Sequence, residues 1–397
     1  MGCAYIALFV QALHIYAGPV ARKTLARNGL QPGAIRTIPA AAGGPKGLLL
    51  GALDRFIFGD WLRRSSQPVH LVGASIGAWR MSTACLPDSM AAFERFEHDY
   101  IHQQYDAPPG RRRPAAQQVS ERFGQTLQAF YGDQVGALLQ HPRYRLHLVT
   151  ARGRHMLARE HHLGTPLGYL GAYLTNAVHR RAMGAWLERV VFSAPDPAQP
   201  GQVCAPLPFA TRDYRTRQVL LTQDNFMPAL QASCSIPFVL QAVHHIPGAP
   251  PGAYWDGGIT DYHLHLRYRC PQNATNIIAA SAMRKSARGQ NDPKPAGLVL
   301  YPHFQQTVVP GWLDKHLRWR HHATPALDTM VLLSPHPDWV RSLPHAKLPD
   351  RNDFVHYAHD PAQRMRLWRT AVSASEQLAQ EFSAWLERPD VGVVGAL

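Results

Sequence analysis

The chain has 397 residues, 46 % of them hydrophobic and 17 % charged, which describes a globular protein and excludes a disordered or membrane-embedded one. Its 41 Lys and Arg against 27 Asp and Glu leave a formal charge of +14, a field that attracts nucleic acid or an anionic membrane surface, unless it only follows a basic proteome. Five scattered cysteines (Cys3, Cys85, Cys204, Cys234, Cys270), none in a C-x-x-C pair, exclude a disulfide framework and a thiolate metal site and fit a reducing compartment.

Taken in chain order, residues 4–21 carry no formal charge. No basic residue precedes the apolar part, and Gln11, His14 and Gly18-Pro19 interrupt it. The pattern predicts a buried strand over 5–10 and a helix from near Pro19 to Asn28-Gly29, not a signal peptide or a membrane span. Met1-Gly2-Cys3 invites lipidation, but Ile6 stands where myristoylation prefers a hydroxyl residue. The expected location is cytoplasmic, peripheral to a membrane, with no transmembrane segment.

A strand over 35–39 runs into Ala42-Gly43-Gly44-Pro45-Lys46-Gly47. Leu49, Leu53, Phe56 and Ile57 then recur at helical spacing. Next, Val69-His70-Leu71-Val72 is an apolar run too short for a helix, followed by Gly73-Ala74-Ser75-Ile76-Gly77 and helix-compatible residues. Strand, glycine loop, helix, strand, serine turn and helix predict an α/β fold with a mostly parallel sheet covered on both faces. Functional residues in such sheets gather at the carboxyl ends of strands, where both turns fall.

Residues 90–142 read as helical and polar, broken by a proline-arginine loop at 108–114. Strands are expected at 146–150, 190–193 and 219–221, with helix through much of 164–188 and from about 225 to 232. Ala232-Ser233-Cys234-Ser235-Ile236-Pro237 and a Pro/Gly loop then lead to Tyr254-Trp255-Asp256-Gly257-Gly258. Further strands are expected at 276–280 and 330–333, and a long amphipathic helix at 361–386.

Ser75 sits at a strand-to-helix apex, where close backbone approach leaves no room for side chains at Gly73 and Gly77. Its hydroxyl lies at a helix N-terminus that favours developing negative charge. A serine hydroxyl still needs a base and an oxyanion stabiliser. Gly43 and Gly44 can turn amides toward one point; Pro45 cannot donate, so the donors come from Gly43, Gly44, Lys46 or Gly47. Each is worth about 3–4 kcal/mol in the transition state. The phosphate-cradle patterns G-x-x-x-x-G-K-[ST] and G-x-G-x-x-G are not met. One of 22 histidines could be the base. Asp256 could too, if burial lifts it from a free aspartate's pKa of ~3.9.

Two other readings compete. Asp256, Asp261, His263 and His265 lie close in sequence, and an alternating strand would put His263 and His265 on one face, where they could hold a metal with Asp261 or Asp256 helping. Trp312 and Arg318-Trp319-Arg320-His321-His322 could meet nucleic acid or a membrane face without any catalysis.

The ordered set Gly43-Gly44-Pro45-Lys46-Gly47, Gly73-Ala74-Ser75-Ile76-Gly77, Ala232-Ser233-Cys234-Ser235-Ile236-Pro237 and Asp256-Gly257-Gly258 resembles the patatin-like phospholipase family. The resemblance covers about 35–261. It implies a three-layer α/β/α fold, Ser75 as nucleophile, Asp256 as base without histidine, and an oxyanion hole lined by Gly43, Gly44, Lys46 and Gly47. Gly73, Gly77, Gly257 and Gly258 support the turns. Ala42 departs from the family's first loop glycine. The expectation is a lipid acyl hydrolase needing no metal or organic cofactor, acting on a lipid ester, with no nucleic-acid partner. A Ser-His-Asp esterase is the alternative. A single domain spanning 1–397 is expected, with 285–397 a C-terminal extension packed on the core.

Overall fold

Strands rich in apolar residues without strict alternation demand cover on both faces, and this chain's strands find it. A computed structural model describes residues 10–105, 114–198, 203–269 and 297–397. The expected strand at 276–280, the arginines at 111–113, Cys3, Cys270 and all but Val10 of the expected strand at 5–10 lie outside those residues. Among the described residues a strand forms instead at β1 (Leu13–Ala17).

The ten described strands form one mixed sheet in the order β10-β1-β9-β8-β2-β3-β4-β5-β6, with β7 paired to β4. They are β1, β2 (Ile35–Ala40), β3 (Val69–Ala74), β4 (Tyr144–Gly153), β5 (Leu187–Ser193), β6 (Thr216–Leu220), β7 (Tyr254–Asp256), β8 (Leu298–Pro302), β9 (Met330–Pro335) and β10 (Gly395–Ala396). Most pairings are parallel; β1 with β9, and β4 with both β5 and β7, are antiparallel. The sheet's side chains divide between two faces: Val69 and Leu71 of β3 enter one apolar cluster, Val72 and Ala74 the other. Helices cover the sheet as the middle of three layers.

Helix α1 (Pro19–Asn28) begins on its proline and stops at Gly29, which takes a φ of 63°. The glycine loop passes through a 3-10 turn (Gly44–Leu50) into α2 (Gly51–Gly59). Helix α3 (Ile76–Ala84) is buried at all nine residues. Then come α4 (Ser89–Ile101), α5 (Ala116–Tyr131), α6 (Val135–Leu139), α7 (Gly164–Val178), α8 (Gln223–Cys234) and the single turn α9 (Gly258–Asp261). The long closing helix expected at 361–386 is two helices, Pro361–Ala374 and Glu376–Glu387. Ser375 separates them, its hydroxyl turning back to the Val372 carbonyl at 2.6 Å.

Besides β1 and the two-residue β10, two strands had no counterpart in the sequence reading. β7 is three residues long, too short to show a period. β8 enters the sheet between β2 and β9, so residues beyond the recognisable motifs contribute to its interior.

Register places the Ser75 and Asp256 turns. Ala74, the last residue of β3, lies opposite Val149 of β4, and Asp256 of β7 lies opposite the next residue, Thr150. Ser75 and Asp256 are 181 positions apart in sequence, yet they leave neighbouring strands beside the same two residues of β4.

Candidate active site

Ser75 is the residue where β3 stops and α3 starts, and it holds φ 57° and ψ −129°. A side-chain-bearing residue in that region is strained, and its neighbours hold it there. A Cβ on Gly77 would lie 1.9 Å from the Ala40 carbonyl oxygen, and one on Gly73 would lie 2.5 Å from Ala78 Cα. Both glycines are therefore steric requirements of the turn. The Ser75 amide donates to Ser233 Oγ at 3.1 Å, and Ser233 Oγ donates to the Val149 carbonyl at 2.7 Å. Ser233, in the Ala232–Pro237 segment, thus ties the serine turn to β4.

Ser75 Oγ donates to Asp256 Oδ2 at 2.6 Å, and Asp256 Oδ1 accepts from the Gly258 amide at 2.7 Å. The Asp256 amide is held by the Ser235 carbonyl at 2.8 Å. Gly257 has to be glycine, since a Cβ there would lie 2.0 Å from the Val149 oxygen. Ser75 is 3 % exposed and Asp256 5 %. Burial raises the Asp256 carboxyl above the ordinary range, opposed by Arg351, the Ser75 hydroxyl, the Gly258 amide and Lys315. A carboxylate lifted in this way can accept a proton.

The glycine loop touches both turns. Besides the Ala40 contact with Gly77, a Cβ on Gly258 would meet Ala42 Cβ at 2.6 Å. Ala42 therefore fits where the resemblance suggests glycine, because Gly258 yields the space. The Ala42 amide donates to the Tyr262 carbonyl at 2.9 Å. Gly43 and Gly44 follow, and Gly44 adopts φ 57°. Their amides precede the turn's first internal hydrogen bond, which leaves them available as donors. Gly47 packs against Ile76, and Lys46 turns its ammonium over the Phe304 ring, 5.3 Å from the centroid.

The competing metal cluster is dispersed. Asp261 takes bonds from Arg189 Nε at 2.7 Å and Nη2 at 2.6 Å. His263 and His265 follow α9 in irregular chain, not a strand, with Nδ1 at the Thr307 and Val308 carbonyls. Among the described residues no group of three or more His, Cys, Asp or Glu is arranged to hold a metal. Nor, among them, does a histidine hydrogen-bond to Ser75 or Asp256. Arg320, Arg180 and Asn176 all bond Asp314, so Arg320 of the basic-aromatic run is engaged inside the protein.

A family model, Patatin-like phospholipase, matches residues 41–263, more than half of the chain. This chain belongs to the patatin-like phospholipase family. The stretch assigned to the patatin-like family includes the glycine loop, the Ser75 turn, Ser233 and the Asp256 turn. It ends before β8. A search of curated proteins found no match. Among solved structures, human GIVD cytosolic phospholipase A2 aligns with 94 % of this chain at 12 % identity and a TM-score of 0.29, and 63 % of that chain is covered. The chain thus spans less than two thirds of that protein.

Residues that sequence reasoning did not single out come from beyond this stretch. Lys315 places its ammonium 4.4 Å from the Tyr262 ring centroid. Arg351 lies along Gly44, its Nε 3.0 Å from where a Cβ would be. Burial, then the charges of Lys46 and Arg351, lower Lys315 to about 8, against the pull of Asp256. Lys46 is lowered by burial, with Asp350 opposing and Arg351 and Lys347 adding to the effect. Asp350 itself is taken by Lys347 at 2.9 Å. With Lys46, three cations therefore gather by the loop and the Ser75–Asp256 pair, and the positions of Lys315 and Arg351 along the chain carried no signal.

Proposed function

We propose that this chain is a serine acyl hydrolase cleaving fatty-acyl esters of phospholipid type. The observation that carries the reading is the 2.6 Å hydrogen bond from Ser75 Oγ to the buried, upshifted Asp256 carboxylate. On this reading Asp256 takes the Ser75 proton as Oγ attacks the ester carbonyl. The tetrahedral oxyanion is met by amides of the 43–47 loop, with Gly43 and Gly44 leading. Asp256 returns the proton to the leaving alcohol, and an acyl-enzyme forms. Water, deprotonated by Asp256, then releases the fatty acid and restores Ser75. Lys46, Lys315 and Arg351 fit an anionic group carried near the ester, such as a phosphodiester.

A fluorophosphonate probe should label Ser75, located by mass spectrometry. Ser75→Ala and Asp256→Asn should each lower kcat on a chromogenic ester by roughly four orders of magnitude with the fold retained by circular dichroism. Full activity in Asp256→Asn, with loss in a histidine variant, would replace the dyad by a Ser-His mechanism.

A further inference from the structure

Helix α7 reads GTPLGYLGAYLTNAV and contains no charged residue. One face is fixed to the protein. Thr165, Gly168, Tyr169, Ala172 and Asn176 are buried, and Cβ atoms on Gly168 or Gly171 would strike Leu157 or Trp186 at 2.6 Å. Asn176 Nδ2 donates to Asp314 at 2.8 Å. The opposite face carries Leu163 (just before the helix), Leu167, Leu170, Leu174 and Val178, which are 53 to 86 % exposed. Their spacing of three and four residues makes one stripe along the helix. Single exposed leucines need no explanation, but a continuous apolar row does.

The row extends toward the dyad. Phe238, 63 % exposed, meets the Tyr169 ring edge-on at 6.1 Å. It follows the same segment whose Ser235 carbonyl holds Asp256. At the other end Arg320 bonds Asn176 at 3.1 Å and the Ala177 carbonyl at 3.3 Å, bringing the exposed Trp319 beside the last turn of α7.

Charge decides what this face meets. From Ala151 to Leu187 the sequence has one acid, Glu160, and its carboxylate accepts the Ala242 amide at 3.0 Å. The basic residues flanking the stripe include Arg159 before it and Arg181 after it, and Arg318 adjoins Trp319; all three are exposed. A second copy would bring like charges together, in a chain of formal charge +14, whereas anionic headgroups complement them. At 15 residues the helix is about 22 Å long, short of the ~30 Å hydrocarbon core, so it lies in the interface instead of crossing it.

We propose that the exposed face of α7, continued by Phe238 and Trp319, docks the protein on an anionic lipid bilayer with the Ser75–Asp256 mouth toward the lipid. The acyl-hydrolase reading supplies the purpose of this docking, but the docking is tested without catalysis. Vesicles of diether phosphatidylglycerol contain no fatty-acyl ester to cleave, so sedimentation with them reads binding alone. The unsubstituted protein should partition onto them, less at high salt and less onto diether phosphatidylcholine. The pair Leu167→Gln with Leu174→Gln should weaken partitioning by about tenfold or more. As a second readout, Leu170→Trp should gain quenching by brominated alkyl chains of the same diether lipid above the background of the native tryptophans. Unchanged partitioning in the double variant, or absence of that extra quenching, overturns the proposal. So does a solution dimer of the unsubstituted protein that the double variant converts to monomer. Failure of the hydrolase reading shows separately, as an unlabelled Ser75.

Discussion

The two sides of the candidate active site are built by different means. The family-matched side fixes its geometry with backbone: Gly77 against the Ala40 carbonyl, Gly257 against the Val149 carbonyl, and a serine held at φ 57°. The side from the last hundred residues contributes side-chain charge, with the Lys315 ammonium over the Tyr262 ring and Arg351 along Gly44. A Cβ forced to within about 2 Å of a carbonyl oxygen has no softer alternative, whereas charges on long side chains act over distance and are screened by salt. The first side should therefore fail abruptly when altered, and the second by degrees.

Gly77→Ala breaks the first side most directly. The new Cβ meets carbonyl backbone, not a movable side chain, so we expect a loss of about 3 kcal/mol or more in urea unfolding. A change within a few tenths of a kcal/mol would mean that the turn is soft and would erase the contrast. On the second side, Lys315→Ala and Arg351→Ala should each lower kcat/KM on an anionic phospholipid about 5- to 20-fold. The effect should be smaller on a neutral short-chain ester and should shrink as salt rises. Equal losses on both substrates would show that these cations serve the fold or the dyad, not an anionic group.

The smallest effect is in pH. Asp256 must be deprotonated to act as base, and its pKa is raised by burial, so the acid limb of kcat/KM should lie above the usual carboxylate range. Lys315 must be protonated to attract an anion and is lowered to about 8, so activity on anionic lipid should fall again above that pH. Lys315→Arg should carry the alkaline limb upward and leave the acid limb in place. An alkaline limb unmoved by Lys315→Arg would remove Lys315 from substrate recognition.

Much of the first side was legible in the chain. The turn at Gly73–Gly77 and the loop at Gly43–Gly47 announce themselves because tight turns require glycine within a few residues of one another, and short-range sterics are written in short motifs. Strands β2, β3, β5, β6 and β9 were also visible as apolar runs. Other features were not. β7 has three residues and no period, and β8 became a strand only by pairing between β2 and β9. The one-residue break at Ser375, where the hydroxyl bonds the Val372 carbonyl, interrupts a helical pattern that runs on in the sequence. His263 and His265 alternate in sequence, yet the chain turns at Leu264, where φ is 48°, and sends them to separate carbonyls. The α7 stripe was present in the sequence as Leu163, Leu167, Leu170, Leu174 and Val178, but periodicity alone does not say whether an apolar face is covered.

By itself the sequence determined the layered α/β framework, the two glycine turns and the residue types able to carry acyl transfer, because those follow from local sterics and from the chemistry of single side chains. Only the tertiary structure decided that Ser75 and Asp256 meet across β4, that Lys315 and Arg351 reach the same mouth, and which face of α7 remains open. Those relations come from strand register and long-range packing, whose energies depend on which distant residues are brought together and so have no local signature along the chain.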